Sequence, residues 1–235
     1  MRTVIFDFDD TLVITNPVFD QAKEQFCRLM KHEGIYAPDI LETLDRFDIA
    51  NVEKAGGFAK DCFPRALLQT YEYYCRVKGR TVSAETRMMV ERLGWWAVEK
   101  VPEVKRGAEQ ILARLQKAYF LVLLSKGDRE LQRERIRATG LDKYFNHIEI
   151  VLQKDASLYR RIVRDTGALA EESWSVGNSF KSDINPALEA GLQCILVRSS
   201  SWGYEEEPPK GPYIEVLSLE LIPDIILRRK TRGTA

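Results

Sequence analysis

Histidine is scarce in this sequence: only His32 and His147 occur, far apart in the chain. That argues against a histidine-built metal centre and against a serine–histidine triad. The four cysteines, Cys27, Cys62, Cys75 and Cys194, form no CxxC pair and sit in apolar or helical contexts. They predict free, buried thiols, not disulfides or zinc ligands. No apolar run approaches the length that spans a bilayer. The N-terminus enters an apolar strand directly, without a cleavable leader pattern, so a soluble cytoplasmic protein is expected. An excess of either charge is also missing, with 35 Lys+Arg against 35 Asp+Glu. Nothing global therefore points to nucleic acid or an anionic membrane as a partner. There is no internal repeat.

What is present is enough apolar sequence for a sizeable core, 45% of 235 residues. That length allows one ordinary domain with an insertion, or two small domains. Short apolar runs at Thr3–Phe8, Tyr119–Leu124, Ile148–Leu152, Trp174–Val176 and Cys194–Val197 read as buried parallel strands. A weaker strand is expected at Tyr213–Val216. Helical segments separate the later ones. Asp128 and Asp155 are placed to cap two of them, and Asn185-Pro186 opens a third that Gly191 closes. The fold class is α/β: a Rossmann-like parallel sheet with helices on both faces.

Residues 15–99 break this alternation. Asn16-Pro17 starts a helix carrying Val18, Phe19, Ala22, Phe26, Leu29 and Met30 mostly on one side. Helical segments at Ala59–Val77 and Ser83–Val98 follow, with no comparable strand between them. The expected organisation is a discontinuous core of residues 1–14 and 100–228, an all-helical insertion at 15–99, and a fraying tail at 229–235. Glu205–Pro212, acidic and proline-rich, reads as a loop.

The chemistry gathers at strand ends, where open parallel sheets bind ligands. Val4-Ile5-Phe6-Asp7-Phe8-Asp9-Asp10-Thr11-Leu12 delivers two carboxylates two residues apart, then a turn. Such a cluster calls for a cation, and an aspartate can attack phosphorus to form an aspartyl phosphate. Ser125 offers a hydroxyl, and the backbone of Lys126 and Gly127 after it offers amides at a helix N-terminus. Lys154 follows the third strand as a point charge for a phosphate and the acids. Gly177-Asn178-Ser179-Phe180-Lys181-Ser182-Asp183 follows the fourth. Magnesium, with one or two carboxylates, waters and a phosphate oxygen, suits Asp7 and a late acid. The Lys126 and Lys181 side chains read as solvated neighbours. The arginines from Arg129 to Arg137 read as an exposed helix face. Trp95 and Trp96 read as packing, Gly56-Gly57 as a helix break or a loop facing the site, and the histidines carry no role.

In order, DFDDTL, SKGD, an isolated Lys154 and GNSFKSDINPALEAGL resemble the haloacid dehalogenase-like (HAD) hydrolase superfamily. The insertion is similar, in position and length only, to that family's C1 helical cap. The resemblance implies a magnesium-dependent phosphatase acting on a small phosphorylated metabolite. Asp7 would be the nucleophile, and Asp9 would protonate the leaving group and then activate water. Thr11 would orient Asp9 or the turn, while Ser125 and Lys154 would hold the phosphate. Metal ligands would come from Asp7, the Asp9 carbonyl, Asn178 and Asp183. The family usually has an acid where Asn178 stands, so a weaker metal site, or one leaning on Asp183, is expected. A sugar phosphomutase or a non-catalytic binding protein on the same scaffold remain alternatives. A dehalogenase has no use for Asp9 or a metal. Neither the particular substrate nor the oligomeric state is legible.

Overall fold

The computed structural model describes residues 2–199 and 207–228. The expected loop at Glu205–Pro212 begins outside these residues, and the expected tail, 229–235, lies wholly outside them. Contacts divide the chain into two compact units. One comprises the segment up to Ile14, Pro102–Lys126 and the chain from Gln132 onward; the other comprises Thr15–Val101 and Gly127–Leu131.

The first unit is built on strands β1 (Thr3–Phe6), β4 (Phe120–Lys126), β5 (His147–Val151), β6 (Trp174–Gly177), β7 (Gln193–Val197) and β8 (Ile214–Val216). They form one parallel sheet in the order β5-β4-β1-β6-β7-β8. Two further strands, β2 (Val13–Ile14) and β3 (Glu103–Val104), make a small antiparallel pair. Alternation along each strand feeds two apolar layers. On β1, Val4 and Phe6 enter one core, with Leu121 and Leu123 of β4 and the helices α5 (Ala108–Leu115) and α9 (Ile222–Arg228). Ile5 enters the other, with Val122 and Leu124, against α7 (Ala156–Asp165) and α8 (Asn185–Glu189). Full burial of such a side chain stabilises by about 1.5–3 kcal/mol, and a sheet covered on both faces explains why its strands read as unbroken apolar runs.

The second unit contains α1 (Asn16–His32), α2 (Ile40–Lys54), α3 (Cys62–Val77) and α4 (Ala84–Glu99). Phe26, Met30, Leu44, Leu67, Tyr71 and Val90 centre its core, and Trp96 packs against them. Gly94 lets α4 approach α3: a Cβ there would lie 2.6 Å from the Cα of Pro64. Ser83 precedes its helix as a cap, accepting from the Thr86 amide (3.2 Å). Gly56 and Gly57 follow the end of α2 at positive φ (70° and 151°), where a helix break is expected.

The α2 helix has no counterpart in the sequence-based reading. Its buried positions include Thr43, Asp48 and Asn51 beside Ile40 and Leu44, and those polar residues interrupt the apolar stripe that signals a helix. The β2–β3 pair is too short to leave a period. No helix among the described residues is long and apolar enough to cross a membrane. Cys62, Cys75 and Cys194 are buried free thiols, and Cys27 is half-buried.

Candidate active site

β1 is the strand at which chain order reverses, with β4 on one side and β6 on the other, and its carboxyl end is where such sheets place ligands. The strand was expected to run to Phe8 but ends at Phe6. The Asp7 amide still donates to the Val176 carbonyl (2.9 Å), anchoring that residue to the sheet edge. The chain then winds up: the Phe8 carbonyl accepts from the Thr11, Leu12 and Val13 amides, and Asp10 takes a left-handed φ of 56°. Asp7 and Asp9 are therefore presented by a turn, not by successive steps of one strand. Lys105 pins this turn from the segment after β3, its ammonium donating to the Asp10 carbonyl.

Both Asp7 oxygens are engaged. Oδ2 accepts from the Thr11 hydroxyl (2.7 Å), and Oδ1 accepts from Lys154 Nζ (2.7 Å). The same ammonium donates to Asp183 Oδ1 (2.7 Å), so Lys154 bridges two carboxylates. Its side chain is 1% exposed. Burial alone would pull the ammonium down, but Asp183 and Asp7 outweigh that and hold it above its ordinary value. Burial pushes the Asp183 carboxyl up, and Asp7 adds to the push against the pull of Lys154. Asp183 Oδ2 accepts from the Asn178 and Ser179 amides (3.1 and 3.0 Å). A π-helical turn, Phe180–Ile184, folds Asp183 back over the end of β6. Gly177 makes room for it, since a Cβ there would lie 2.3 Å from the Asp183 Cγ. Asn178 Oδ1 faces the Thr11 hydroxyl (3.3 Å), and Nδ2 donates to Ser199 Oγ (3.1 Å).

Asp9 belongs to a second set. Its Oδ2 accepts from Gln132 Nε2 (2.5 Å), and its Oδ1 lies 3.0 Å from an Arg135 guanidinium nitrogen. Burial pushes the Asp9 carboxyl up, with Asp7 and Asp10 adding, while Arg135 and Gln132 oppose. Gln132 also donates to Ser125 Oγ (2.7 Å). Ser125 is fully buried within the end of β4, which runs two residues beyond its expected end. Lys126 is not merely solvated: it is half-buried and donates to Ser182 Oγ (3.0 Å). The helix α6 (Arg129–Thr139) is not arginine-exposed throughout, because the Arg135 side chain is 11% exposed and turned to Asp9. Gln132 and Arg135 have no counterpart in the sequence-based reading; Gln132 lies one turn before buried Ile136, whereas only packing turns Arg135 inward. Gly127, at φ 144°, turns the chain after β4, and Asp128 accepts from the Glu130 and Leu131 amides as the expected cap.

The available ligands, the Asp7 and Asp183 carboxylates, the Asn178 amide oxygen and the Asp9 carbonyl, are all oxygens, the donor class magnesium takes. Among the described residues no three His, Cys, Asp or Glu side chains form a metal cage.

The chain matches the haloacid dehalogenase-like hydrolase family over residues 1–191. It is 23% identical to N-acylneuraminate-9-phosphatase of Rattus norvegicus over 96% of this chain and 94% of that protein. A haloacid dehalogenase-like family hydrolase from Xanthomonas campestris superposes with a TM-score of 0.78 at 22% identity, covering 97% of this chain and 95% of that one. The HAD-hydrolase YfnB from Bacillus subtilis, whose structure is bound to magnesium, superposes with a TM-score of 0.65 at 18% identity, over 96% and 98%.

Proposed function

The chain belongs to the haloacid dehalogenase-like hydrolase family, and we propose that it hydrolyses the phosphate monoester of a small metabolite through an aspartyl phosphate on Asp7. One observation carries this reading: a carboxylate at the switch point of the sheet, held between Thr11 and Lys154, with a second acid two residues on. Phosphoryl transfer asks mainly for position and charge stabilisation, and those residues supply both. The phosphatase relative supports the substrate class.

In the first half-reaction an Asp7 oxygen attacks phosphorus, the ester oxygen leaves, and Asp9 gives it a proton. Lys154 and the Ser125 hydroxyl stabilise charge on the equatorial oxygens. In the second, water attacks the phosphoaspartate, its proton passes to Asp9, and the Asp7 carboxylate is regenerated with release of inorganic phosphate. We assign magnesium to Asp7, the Asp9 carbonyl and Asn178; when bound it supplies positive charge to the phosphoryl oxygens. Asp183, which accepts from Lys154 and two amides, holds Lys154 and the β6 loop in place.

Asp7→Asn tests the reading. An asparagine Oδ1 can still accept from Lys154, so the fold should survive, as circular dichroism will show. Hydrolysis of p-nitrophenyl phosphate with magnesium is expected to vanish. Turnover at the wild-type rate ends the nucleophile assignment, as does a beryllium fluoride adduct seated away from Asp7.

A further inference from the structure

We infer that Gln132 and Arg135 are positioning residues that hold Asp9 for the step clearing phosphate from Asp7; this rests on the reading above. The two residues lie three apart on α6, on one helix face. Gln132 is 3% exposed, so its amide group needs partners inside the protein. Arg135 provides one: its Nη1 donates to Gln132 Oε1 (2.6 Å). That bond fixes which way the amide faces. With Oε1 turned to the guanidinium, Nε2 is turned to Asp9 Oδ2 and Ser125 Oγ, and each of its two protons has an acceptor (2.5 and 2.7 Å). The second guanidinium nitrogen of Arg135 reaches Asp9 Oδ1 at 3.0 Å. A ring of three side chains thus holds the second acid, Oδ2 by a hydrogen bond and Oδ1 by an ion pair.

The arrangement selects a working oxygen. Asp9 Oδ1 is sealed from solvent, while the side chain as a whole is 31% exposed. Oδ2, the oxygen in Gln132's grip, is left to receive a proton. The second half-reaction is the one in which Asp9 receives a proton. In that step the water oxygen bonds to phosphorus, its proton goes to Oδ2, and the bond from phosphorus to Asp7 breaks with its electron pair returning to the carboxylate. Ser125 is set by the same amide. Because its Oγ accepts from Gln132, its own proton is free for a phosphate oxygen.

The test uses the full chain with magnesium and dinitrophenyl phosphate, whose leaving group departs without a proton. Wild type, Gln132→Met, Arg135→Met and Arg135→Lys are compared by rapid mixing and at steady state. A positioned general base contributes about 10²–10⁴-fold, so loss of its orientation is expected to slow phosphoenzyme hydrolysis at least about tenfold. In both methionine variants a burst of dinitrophenolate should then precede slow turnover. In Arg135→Met, which leaves the Gln132–Ser125 bond in place, kcat and KM should fall together with kcat/KM unchanged, and Arg135→Lys should recover part of the kcat. A purely structural role predicts the opposite split, with kcat/KM falling and no burst. That result, or an unchanged kcat, overturns the inference. Burst amplitude counts folded sites, so partial misfolding lowers the amplitude without imitating the predicted ratio. Failure of the underlying reading looks different: wild type releases no dinitrophenolate, or Asp7→Asn releases it as fast as wild type.

Discussion

Lys154→Met removes a charge from between two carboxylates and leaves its aliphatic stem in place. Each of the two contacts is 2.7 Å. At an effective dielectric constant of ~20, each is worth about 6 kcal/mol of gross attraction. Most of that offsets the cost of burying an ammonium that is 1% exposed. The substitution also leaves Asp7 and Asp183 facing one another without a cation, and breaking a buried pair in this way costs about 3–5 kcal/mol. Against a total stability of about 5–15 kcal/mol for a domain, that is a large fraction. The pH window follows from the sign of the lysine's shift. Its folded value is raised, so the stabilisation is fully present below the unfolded value, ~10.4. It is lost only as pH climbs through the folded one. Urea unfolding followed by fluorescence of Trp174, which is buried in the sheet unit, should show the loss at pH 7 and at pH 9. A variant within about 1 kcal/mol of wild type at both refutes the view that the ammonium couples these acids.

Two further outcomes test other parts of the structure. Asp48 is buried on α2 with Oδ1 unpartnered among the described residues, and burial pushes its carboxyl up to about 6 despite the pull of Lys23. An acid raised in the folded state is less stabilising once ionised, so stability falls as pH rises from the unfolded value to 6 and is flat above. Asp48→Asn should therefore stabilise the helical unit by on the order of 3 kcal/mol at pH 8 and by nothing at pH 4. Equal effects at the two pH values in urea titrations contradict this. Gly177→Ala places a methyl where the Asp183 carboxyl now lies and should displace Asp183 from Lys154. A misplacement of that size costs about 10²-fold in turnover, so retained aryl phosphatase activity removes Asp183 from the site's framework.

The sheet and most of the site were legible because each signal was local. Apolar runs of strand length carry the parallel sheet, and Asp7, Ser125, Lys154 and Asp183 each stand at or near a strand end. What stayed hidden depends on tertiary contact. Asp183 reads as a metal ligand in the sequence, and only the tertiary contacts show its oxygens also accepting from Lys154 and two loop amides. Arg135 cannot be separated by composition from Arg129, Arg133 and Arg137, and only packing shows that it turns inward. The α2 helix escaped because its buried face mixes aspartate and asparagine with leucine, so burial and hydrophobicity part company there.

The amide at Asn178 gains a meaning from the charges around it. Four carboxylates, Asp7, Asp9, Asp10 and Asp183, interact with three cations, Lys105, Lys154 and Arg135. In their ordinary ionised forms they leave one negative charge. A divalent cation would turn that into one positive charge, which favours an anionic phosphate monoester. An acid at position 178 would strengthen the hold on the metal but cancel that positive charge. Uncompensated charge in a partly buried site is costly, so cation and phosphate should bind with positive coupling, each raising the affinity of the other by the same factor. Calorimetry with magnesium alone, then with inorganic phosphate present, measures that factor. Couplings of about 1–3 kcal/mol are typical. Independent binding of the two would mean that this charge set does not govern the site, and that Asn178 is simply a weaker ligand.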